Sequence, residues 1–264
     1  MHINLQPTFY NQYRKPAFCS CSRCYDSDHF NTLIGSKVYT TTTLFRNDLD
    51  FGELTDFMIY NFKDKDKVNI KCLAGSDGSE AYSLAIALKE RLPKSQQKKF
   101  LPILSLDRDP EVIKAATSGK INLSLLDIKM LDEEVKSNKE YFTLSQDNLK
   151  IDNDFNEPEN YKSYEVSPEL KESINFKIGN LLEEVKNLKD DGNTVVMCRN
   201  VTPYLREEEV STLAYNLNKN LKEGSLCAIG NFDNFSNITN YLKYYGFNQI
   251  IHNVFQKGKE QTFY

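Results

Sequence analysis

The sequence predicts an α/β fold in which a mostly parallel sheet is covered by helices on both faces. From Val68 onward, short apolar runs alternate with runs of helical period, which is the pattern of a parallel sheet with crossover helices. Two glycines, Gly75 and Gly78, stand where the first strand gives way to the first helix. Such a turn can bring backbone N–H groups and a helix N-terminus to a ligand, although many α/β turns carry glycine only to reverse the chain.

Composition limits the function classes. The chain has 264 residues, 40% of them hydrophobic, which is enough for one large α/β domain with a small appendage. A formal net charge of -4 and a pI of about 5.6 argue against sequence-independent nucleic-acid binding. No apolar run reaches the length of a membrane span, and residues 1–10 lack the features of a secretion signal. We therefore expect a cytoplasmic protein with no nucleic-acid partner and no membrane insertion.

The six cysteines form two groups. Cys72, Cys198 and Cys227 lie in apolar runs and are expected to be small buried residues. A second group lies in one polar segment near His29: Cys19, Cys21 and Cys24. That group could hold zinc, but its spacing lacks the paired two-residue gap of strong zinc motifs, so we favour reduced thiols without a metal and do not expect disulfides.

Residues 1–37 show no sustained period and are predicted to form an irregular arm, followed by a main domain over 38–264. Leu54, Phe57, Met58 and Phe62 have helical spacing and predict a helix with a buried apolar face. The threonine run at 40–43 is either an extended, β-favouring segment or a row of hydroxyl groups that line a pocket, with Arg46 at its rim.

The remaining elements follow the alternation of patterns along the chain. Strands are predicted at 68–74, 101–106, 194–198 and 225–229, and helices at 79–92, 111–117, 124–138, 207–221 and 238–245. The charged, asparagine-rich stretch at about 143–177 predicts a small β-rich insertion. The chain is expected to close with an antiparallel pair, 248–255 with 261–264, around Gly258.

The carboxyl ends of three predicted strands, near Ala74, Leu106 and Cys198, should meet along one edge of the sheet, where open α/β sheets bind ligands. Asp107 follows the second strand, and a carboxylate at this position can accept from both hydroxyls of a ribose. The alternative is that Asp107 or Asp109 caps the helix that starts after Pro110. For Asp109 we favour the cap.

Six short segments in this order resemble the CheR family of S-adenosylmethionine-dependent methyltransferases, which methylate glutamates on chemotaxis receptors. The segments are 42–46, 75–83, 105–113, 180–182, 198–201 with Tyr204, and 230–235. The resemblance implies a Rossmann-like class I methyltransferase sheet, mostly parallel with an antiparallel last strand, and a small inserted β-rich subdomain. It also implies S-adenosyl-L-methionine as cofactor and S-adenosyl-L-homocysteine as product.

The resemblance also implies roles for individual residues. The residues expected to contact the cofactor are Thr42, Arg46, Gly75, Ser76, Gly78, Glu80, Asp107, Asn180, Leu181, Arg199 and Asn200. Thr42, Arg46 and the glycine turn would hold the methionine end, and Glu80 its ammonium group. Asp107 would bind the ribose, while Asn180, Leu181, Arg199 and Asn200 would flank the adenine and the rim. Arg46 and Tyr204 are the expected catalytic residues.

Two of these assignments have simpler alternatives. Glu80 could be an ordinary acid in the first turn of a helix, where acids are favoured. Tyr204 could pack against the helix that starts near Glu207. The N-terminal arm is too short to be the family's helical recognition domain, which leaves the acceptor open. It is a protein glutamate, on a chemoreceptor-like partner or another protein, or else a small carboxylic or hydroxylated metabolite. A non-catalytic cofactor-binding module is the third reading.

Overall fold

A computed structural model describes residues 42–145 and 161–259. Its main sheet has seven strands, which in chain order are β1 (Asn69–Leu73), β2 (Ile103–Asp107), β6 (Ile174–Ile178), β7 (Thr194–Met197), β8 (Leu226–Ala228), β9 (Phe247–Ile251) and β10 (Val254–Lys257). Across the sheet they lie in the order β6-β2-β1-β7-β8-β10-β9. All neighbouring pairs are parallel except those that β10 forms with β8 and β9. The predicted sheet, mostly parallel with an antiparallel last strand, is therefore confirmed.

Helices cover both faces of this sheet. They are α1 (Phe51–Asn61), α2 (Ser79–Arg91), α3 (Lys94–Gln97), α4 (Pro110–Ser118), α5 (Leu125–Glu134), α6 (Pro168–Lys171), α7 (Leu181–Lys186), α8 (Glu207–Asn220) and α9 (Ile238–Tyr244). Two 3₁₀ helices, Thr202–Tyr204 and Asn231–Phe235, follow β7 and β8. One hydrophobic cluster joins α1 and α2 to the sheet, and a second joins α8 and α9 to its other face. None of the described helices is both long and apolar enough to cross a bilayer.

A second, antiparallel sheet has the order β3-β5-β4. It consists of β3 (Lys120–Ser124), β4 (Phe142–Leu144) and β5 (Tyr161–Val166). The sequence predicted this subdomain at about 143–177, but the structure places its first strand earlier and pairs Ile174–Ile178 with β2 in the main sheet. The division between an arm at 1–37 and a domain at 38–264 stays a prediction, because the boundary lies outside the described residues.

The predicted closing pair is wrong. Residues 248–255 do not form one strand, because the chain reverses at His252 and Asn253 between β9 and β10. Asn253 has φ +61°, a left-handed conformation that asparagine tolerates better than most residues. Residues 261–264, the expected partner strand, lie outside the described part of the chain.

The three cysteines of the first group, Cys72, Cys198 and Cys227, are buried and free, as predicted. The second group and His29 lie in the segment before residue 42, which is outside the described residues. Over 42–145 and 161–259, no set of three or more histidine, cysteine or acidic side chains is arranged to hold a metal ion.

Candidate functional site

The predicted glycine turn links β1 to α2 at the carboxyl edge of the sheet. The N–H of Gly75 donates to the carbonyl of Leu106 at 2.8 Å, which ties the turn to the end of β2. Ala74, Ser76 and Gly78 all have positive φ, at +59°, +50° and +91°. Because this sharp turn ends where α2 begins, the helix N-terminus faces the edge where β1, β2 and β7 end.

The structure gives the two glycines a packing role. A Cβ built on Gly75 would lie 2.1 Å from the hydroxyl oxygen of Ser105, and one on Gly78 would lie 2.8 Å from the ring of Phe176. Gly78 also needs its left-handed backbone to start α2. The missing side chains therefore make room for the protein's own β2 and β6, and not for a ligand alone.

Ala74 is one of two non-glycine residues of this turn with a left-handed backbone, the other being Ser76. A left-handed alanine costs about 1–2 kcal/mol relative to its relaxed backbone. We expect Ala74→Gly to raise the free energy of unfolding by up to about 1 kcal/mol, since glycine's greater unfolded-state entropy offsets part of the relief. Chemical denaturation followed by circular dichroism measures the change, and a loss of stability would contradict it. Ala87→Gly, inside α2, is the control and should cost about 1 kcal/mol.

Asp107 occupies the end of β2, where the ribose contact was expected. Its two carboxylate oxygens accept from the N–H groups of Ser76 and Asp109, both at 3.1 Å. Asp109 caps α4 by accepting from the N–H of Glu111 at 2.9 Å, so the predicted cap is confirmed. An ionised carboxylate has about four acceptor positions, which leaves Asp107 capacity for ligand hydroxyls.

Asn180 and Leu181 lie beside Asp107. The N–H of Gly179 donates to the carbonyl of Asp107 at 2.8 Å. Asn180 then caps α7 by accepting from the N–H of Leu182 at 2.8 Å. The predicted ribose and adenine residues thus line neighbouring loops of one sheet edge.

The next loops of the same edge hold a cluster of three charged side chains and one amide, which we call the Arg199 cluster: Asp48, Glu80, Arg199 and Asn200. Arg199 binds the Glu80 carboxylate at 2.8 Å through one terminal nitrogen, and the Asp48 carboxylate through the other. The side-chain amide of Asn200 donates to Asp48 at 2.9 Å. Arg199 also lies over the ring of Phe51, 5.2 Å from its centroid, so the guanidinium is held on several sides.

The two carboxylates of the cluster differ electrostatically. Burial raises the pKa of Glu80 above its usual value, and the nearby Arg199 only partly offsets this. Burial acts the same way on Asp48, but Arg199, together with hydrogen bonds from Asn200 and Asn231, brings the pKa of Asp48 below its usual value. The two acids that share Arg199 thus have pKa values shifted in opposite directions.

Arg46 lies at the rim of the cluster. Its Nε is 4.0 Å from the Asp48 carboxylate, and its guanidinium carbon lies 5.2 Å from the centre of the Phe232 ring. Phe232 stacks on Phe235, with ring centres 6.3 Å apart, and Phe235 is 70% exposed. Tyr204 is 54% exposed, so more than half of it is open to solvent. Phe232 and Phe235 form an open aromatic rim beside Arg46, and Tyr204 lies in the 3₁₀ helix of the loop after β7.

Asp233 fixes the loops that carry this rim. It is fully buried and accepts from the N–H groups of Asn200, Thr202 and Gly230 at 2.6, 2.8 and 2.7 Å. Burial raises the pKa of Asp233 despite these donors. The carboxylate thus joins the loop after β7 to the loop after β8.

The structure brings most of the predicted residues to one edge. Arg46, Arg199 and Asn200 meet at Asp48, and Glu80 joins them through Arg199. Gly75, Ser76 and Asp107 meet at the adjoining turn. Thr42 is half-buried and begins the described chain, two residues before Leu44, whose N–H donates to Asp127 at 2.6 Å.

Sequence reasoning missed Asp48, Asp233 and Phe232. The signals present were an acid two residues after Arg46 and the run Gly230-Asn231-Phe232-Asp233 directly after a strand.

The donor set fits the cofactor that the resemblance implies. That molecule carries a carboxylate, an ammonium group and a ribose, which require cationic, anionic and hydroxyl-accepting partners together. Arg46 supplies a cation that is 23% exposed, and Glu80 and Asp107 supply partly exposed carboxylates. Glu80 does not stand open, however, because Arg199 already donates to one of its oxygens.

Comparison with solved structures finds several methyltransferases. One is a putative S-adenosyl-L-methionine-dependent methyltransferase from Methanococcus maripaludis, 13% identical over 90% of this chain and 94% of that one, with a TM-score of 0.42. Another is a TehB-like methyltransferase from Corynebacterium glutamicum, 12% identical over 88% of this chain and 97% of that one, with a TM-score of 0.41. WbdD is 14% identical over 75% of this chain, with a TM-score of 0.37, and this chain spans 35% of its length.

A family model for the S-adenosylmethionine-binding domain of CheR methyltransferases matches residues 40–251. The match contains the loop at 42–50, which we call the Arg46 loop, together with the glycine turn, Asp107 and the Arg199 cluster. These parts lie together at the carboxyl edge of the sheet. The chain therefore belongs to the CheR methyltransferase family, and it is an enzyme whose cofactor is S-adenosyl-L-methionine.

Proposed function

We propose that this methyltransferase acts on a carboxylate, and that its acceptor is a glutamate side chain of a protein partner. The observation that carries this proposal is the position of Arg46, a partly exposed cation that adjoins the Arg199 cluster. A guanidinium at this place can bind and orient a carboxylate with two hydrogen bonds. Phe235 of the open rim is 70% exposed and Tyr204 is 54% exposed, which favours a side chain presented by a polypeptide.

The chemistry suits this set of residues. When bound, S-adenosyl-L-methionine supplies a methyl group activated by a sulfonium sulfur. A carboxylate oxygen forms the new O–C bond as the C–S bond breaks, and the sulfur leaves as a neutral thioether. Because a glutamate is already ionised at neutral pH, no general base is needed. The enzyme's contribution is alignment and the exclusion of water.

Each residue has a role in the proposal. Arg46 orients the acceptor carboxylate, and Tyr204 borders the path of the methyl group. Asp107 accepts from the ribose hydroxyls, while Glu80 pairs with the ammonium group of the methionine end. Thr42 and the turn at 75–78 hold the remainder of that end, and Asn180 and Leu181 flank the adenine. The proposed setting is the cytoplasm, with a chemoreceptor-like protein as the expected partner.

The acceptor class is tested by methyl transfer from tritium-labelled cofactor into a cell lysate, followed by separation of protein from small molecules. Label in protein that mild base releases supports a carboxyl methyl ester on a protein. Label in small molecules contradicts the protein acceptor and supports a metabolite. No transfer at all contradicts the proposed reaction for both classes of acceptor.

With an acceptor in hand, Arg46→Ala is expected to lower kcat/KM about 100-fold, because a misaligned acceptor costs about this much. Tyr204→Phe should have a smaller effect, about tenfold. Arg91→Ala is the matched control for the arginine. Arg91 lies at the C-terminal end of α2, away from the glycine turn, is 27% exposed and pairs with Glu134. Tyr244→Phe, an exposed tyrosine at the end of α9, is the control for the phenol. Unchanged turnover in both Arg46→Ala and Tyr204→Phe would contradict the catalytic assignment.

A further inference from the structure

Two carboxylates share one buried guanidinium in the Arg199 cluster. The side chain of Arg199 is 2% exposed, that of Asp48 is 4% exposed and that of Glu80 is 14% exposed. Arginine keeps its proton under all ordinary conditions. When both acids are ionised, these three side chains carry one excess negative charge, and Arg46, with its Nε 4.0 Å from the Asp48 carboxylate, compensates part of it on the Asp48 side of the cluster. A buried excess charge is costly unless another group compensates it.

The free acceptor capacity of the pair lies on Glu80. Asp48 uses one oxygen for Arg199 and the other for the amide of Asn200, at 2.9 Å, and the N–H of Asn231, at 3.1 Å. Glu80 receives a charge-assisted bond from Arg199 on one oxygen, its other side-chain donor is the weak thiol of Cys72, and it is the more exposed of the two acids. A ligand ammonium group that approaches the cluster would therefore find its partner at Glu80.

Asp48 determines how many of the N–H donors of Arg199 are free to bind Glu80. With Asp48 present, one terminal nitrogen of Arg199 points to each acid. Without the Asp48 charge, the guanidinium can turn its fork wholly to Glu80, as bidentate arginine–carboxylate pairs do. Glu80 would then be neutralised by a group that itself repels an ammonium ion.

We infer that Asp48 is a positioning residue for cofactor binding: by holding Arg199, it keeps Glu80 available for the ammonium group of the cofactor. This inference rests on the role of Glu80 under the proposed function. Asp48 itself contacts neither the cofactor nor the acceptor in this proposal.

The test is calorimetric binding of two ligands to the full chain. S-adenosyl-L-homocysteine carries the amino-acid end, and 5′-methylthioadenosine lacks it. We expect Asp48→Asn to weaken the first about tenfold or more and to change the second by less than about twofold. A purely structural role would weaken both ligands alike, and that result would overturn the inference, as would an unchanged affinity for both.

Asp190→Asn is the matched control. Asp190 is also buried, and it accepts from the N–H groups of Gly192 and Lys222 and from the hydroxyl of Ser225 at the opposite edge of the sheet. The Asp190→Asn substitution should lower the free energy of unfolding. It should leave unchanged the ratio of the affinity for S-adenosyl-L-homocysteine to the affinity for 5′-methylthioadenosine. If Asp48→Asn does not fold, Asp48→Ser leaves room for water beside Asn200 and should give the same change in the ratio.

Glu80→Gln separates this inference from the proposed function. If Glu80→Gln lowers the ratio and Asp48→Asn does not, the role of Asp48 fails while that of Glu80 stands. If Glu80→Gln leaves the ratio unchanged, the ammonium contact fails and the role of Asp48 fails with it. A lower ratio in both variants supports both assignments.

Discussion

Replacing Arg199 with methionine is expected to lower the free energy of unfolding by about 3–5 kcal/mol, the usual cost of breaking a buried ion pair from one side. The substitution leaves the carboxylates of Asp48 and Glu80 buried without their cation. Unfolding in urea measures the loss. The chain has no tryptophan, so far-ultraviolet circular dichroism is the suitable signal.

The triple variant Asp48→Asn, Glu80→Gln, Arg199→Met should recover a large part of this loss, because it removes the stranded charges with the cation. Buried ion clusters replaced as a whole by neutral residues of similar size are often no less stable. Arg91→Met is the control for a partly exposed ion pair and should cost at most about 1 kcal/mol. An Arg199→Met variant as stable as Arg91→Met would show that the Arg199 cluster does not hold the fold together.

Replacing Asp77 with asparagine is expected to stabilise the protein at neutral pH by up to about 3 kcal/mol, with almost no gain at pH 4. Burial, helped by the charge of Asp127, raises the pKa of Asp77 from 3.8 to about 6 against the opposing hydrogen bonds from Ser79. The folded protein thus binds this proton more tightly than the unfolded chain does. The contribution of Asp77 to stability therefore falls as pH rises from about 4 to about 6 and is constant above pH 6. The difference between its pKa in the folded protein and in the unfolded chain corresponds to about 3 kcal/mol.

The amide oxygen of asparagine can keep the hydrogen bond that Asp77 accepts from the N–H of Ser79, at 2.9 Å, while the substitution removes the charge. Unfolding of both proteins at pH 4, 5, 6 and 7 gives the difference directly. Glu80 and Asp233 also have raised pKa values, but they are common to both proteins and cancel in the comparison. A difference that stays constant across this pH range would refute the assignment. Asp77 is thus a desolvated acid kept in the turn at some cost, as is common near functional sites.

The sequence was sufficient to locate the central strands along the chain because their signals are strong. β1 and β7 are short apolar runs, and the strand–turn–helix pattern places their carboxyl ends together. β3 was missed because only Ile121 and Leu123 are buried among polar neighbours. The turn at Asn253 was missed because an asparagine, and not a glycine, takes the left-handed position.

The site was predictable in its residue types but not in its pairings. Position at the end of β2 was enough to single out Asp107, whereas Glu80 and Arg199 were singled out by the resemblance to the CheR family. That Arg199 would choose Asp48 and Glu80 among 37 acidic residues depends on side-chain packing, which no local pattern records. The same holds for Asp233, whose three backbone donors come from two different loops.

The hairpin between β9 and β10 limits where the chain can be truncated or fused to part of a relative. The family match stops at residue 251, but two residues later the side-chain amide of Asn253 donates to the carbonyl of Asp48 and to the side chain of Asn231, both at 2.8 Å. A fragment trimmed at the edge of the match, or a hybrid that borrows its tail from a relative, would lose this tether on the Arg46 loop. Engineering boundaries for this protein therefore belong beyond Lys257.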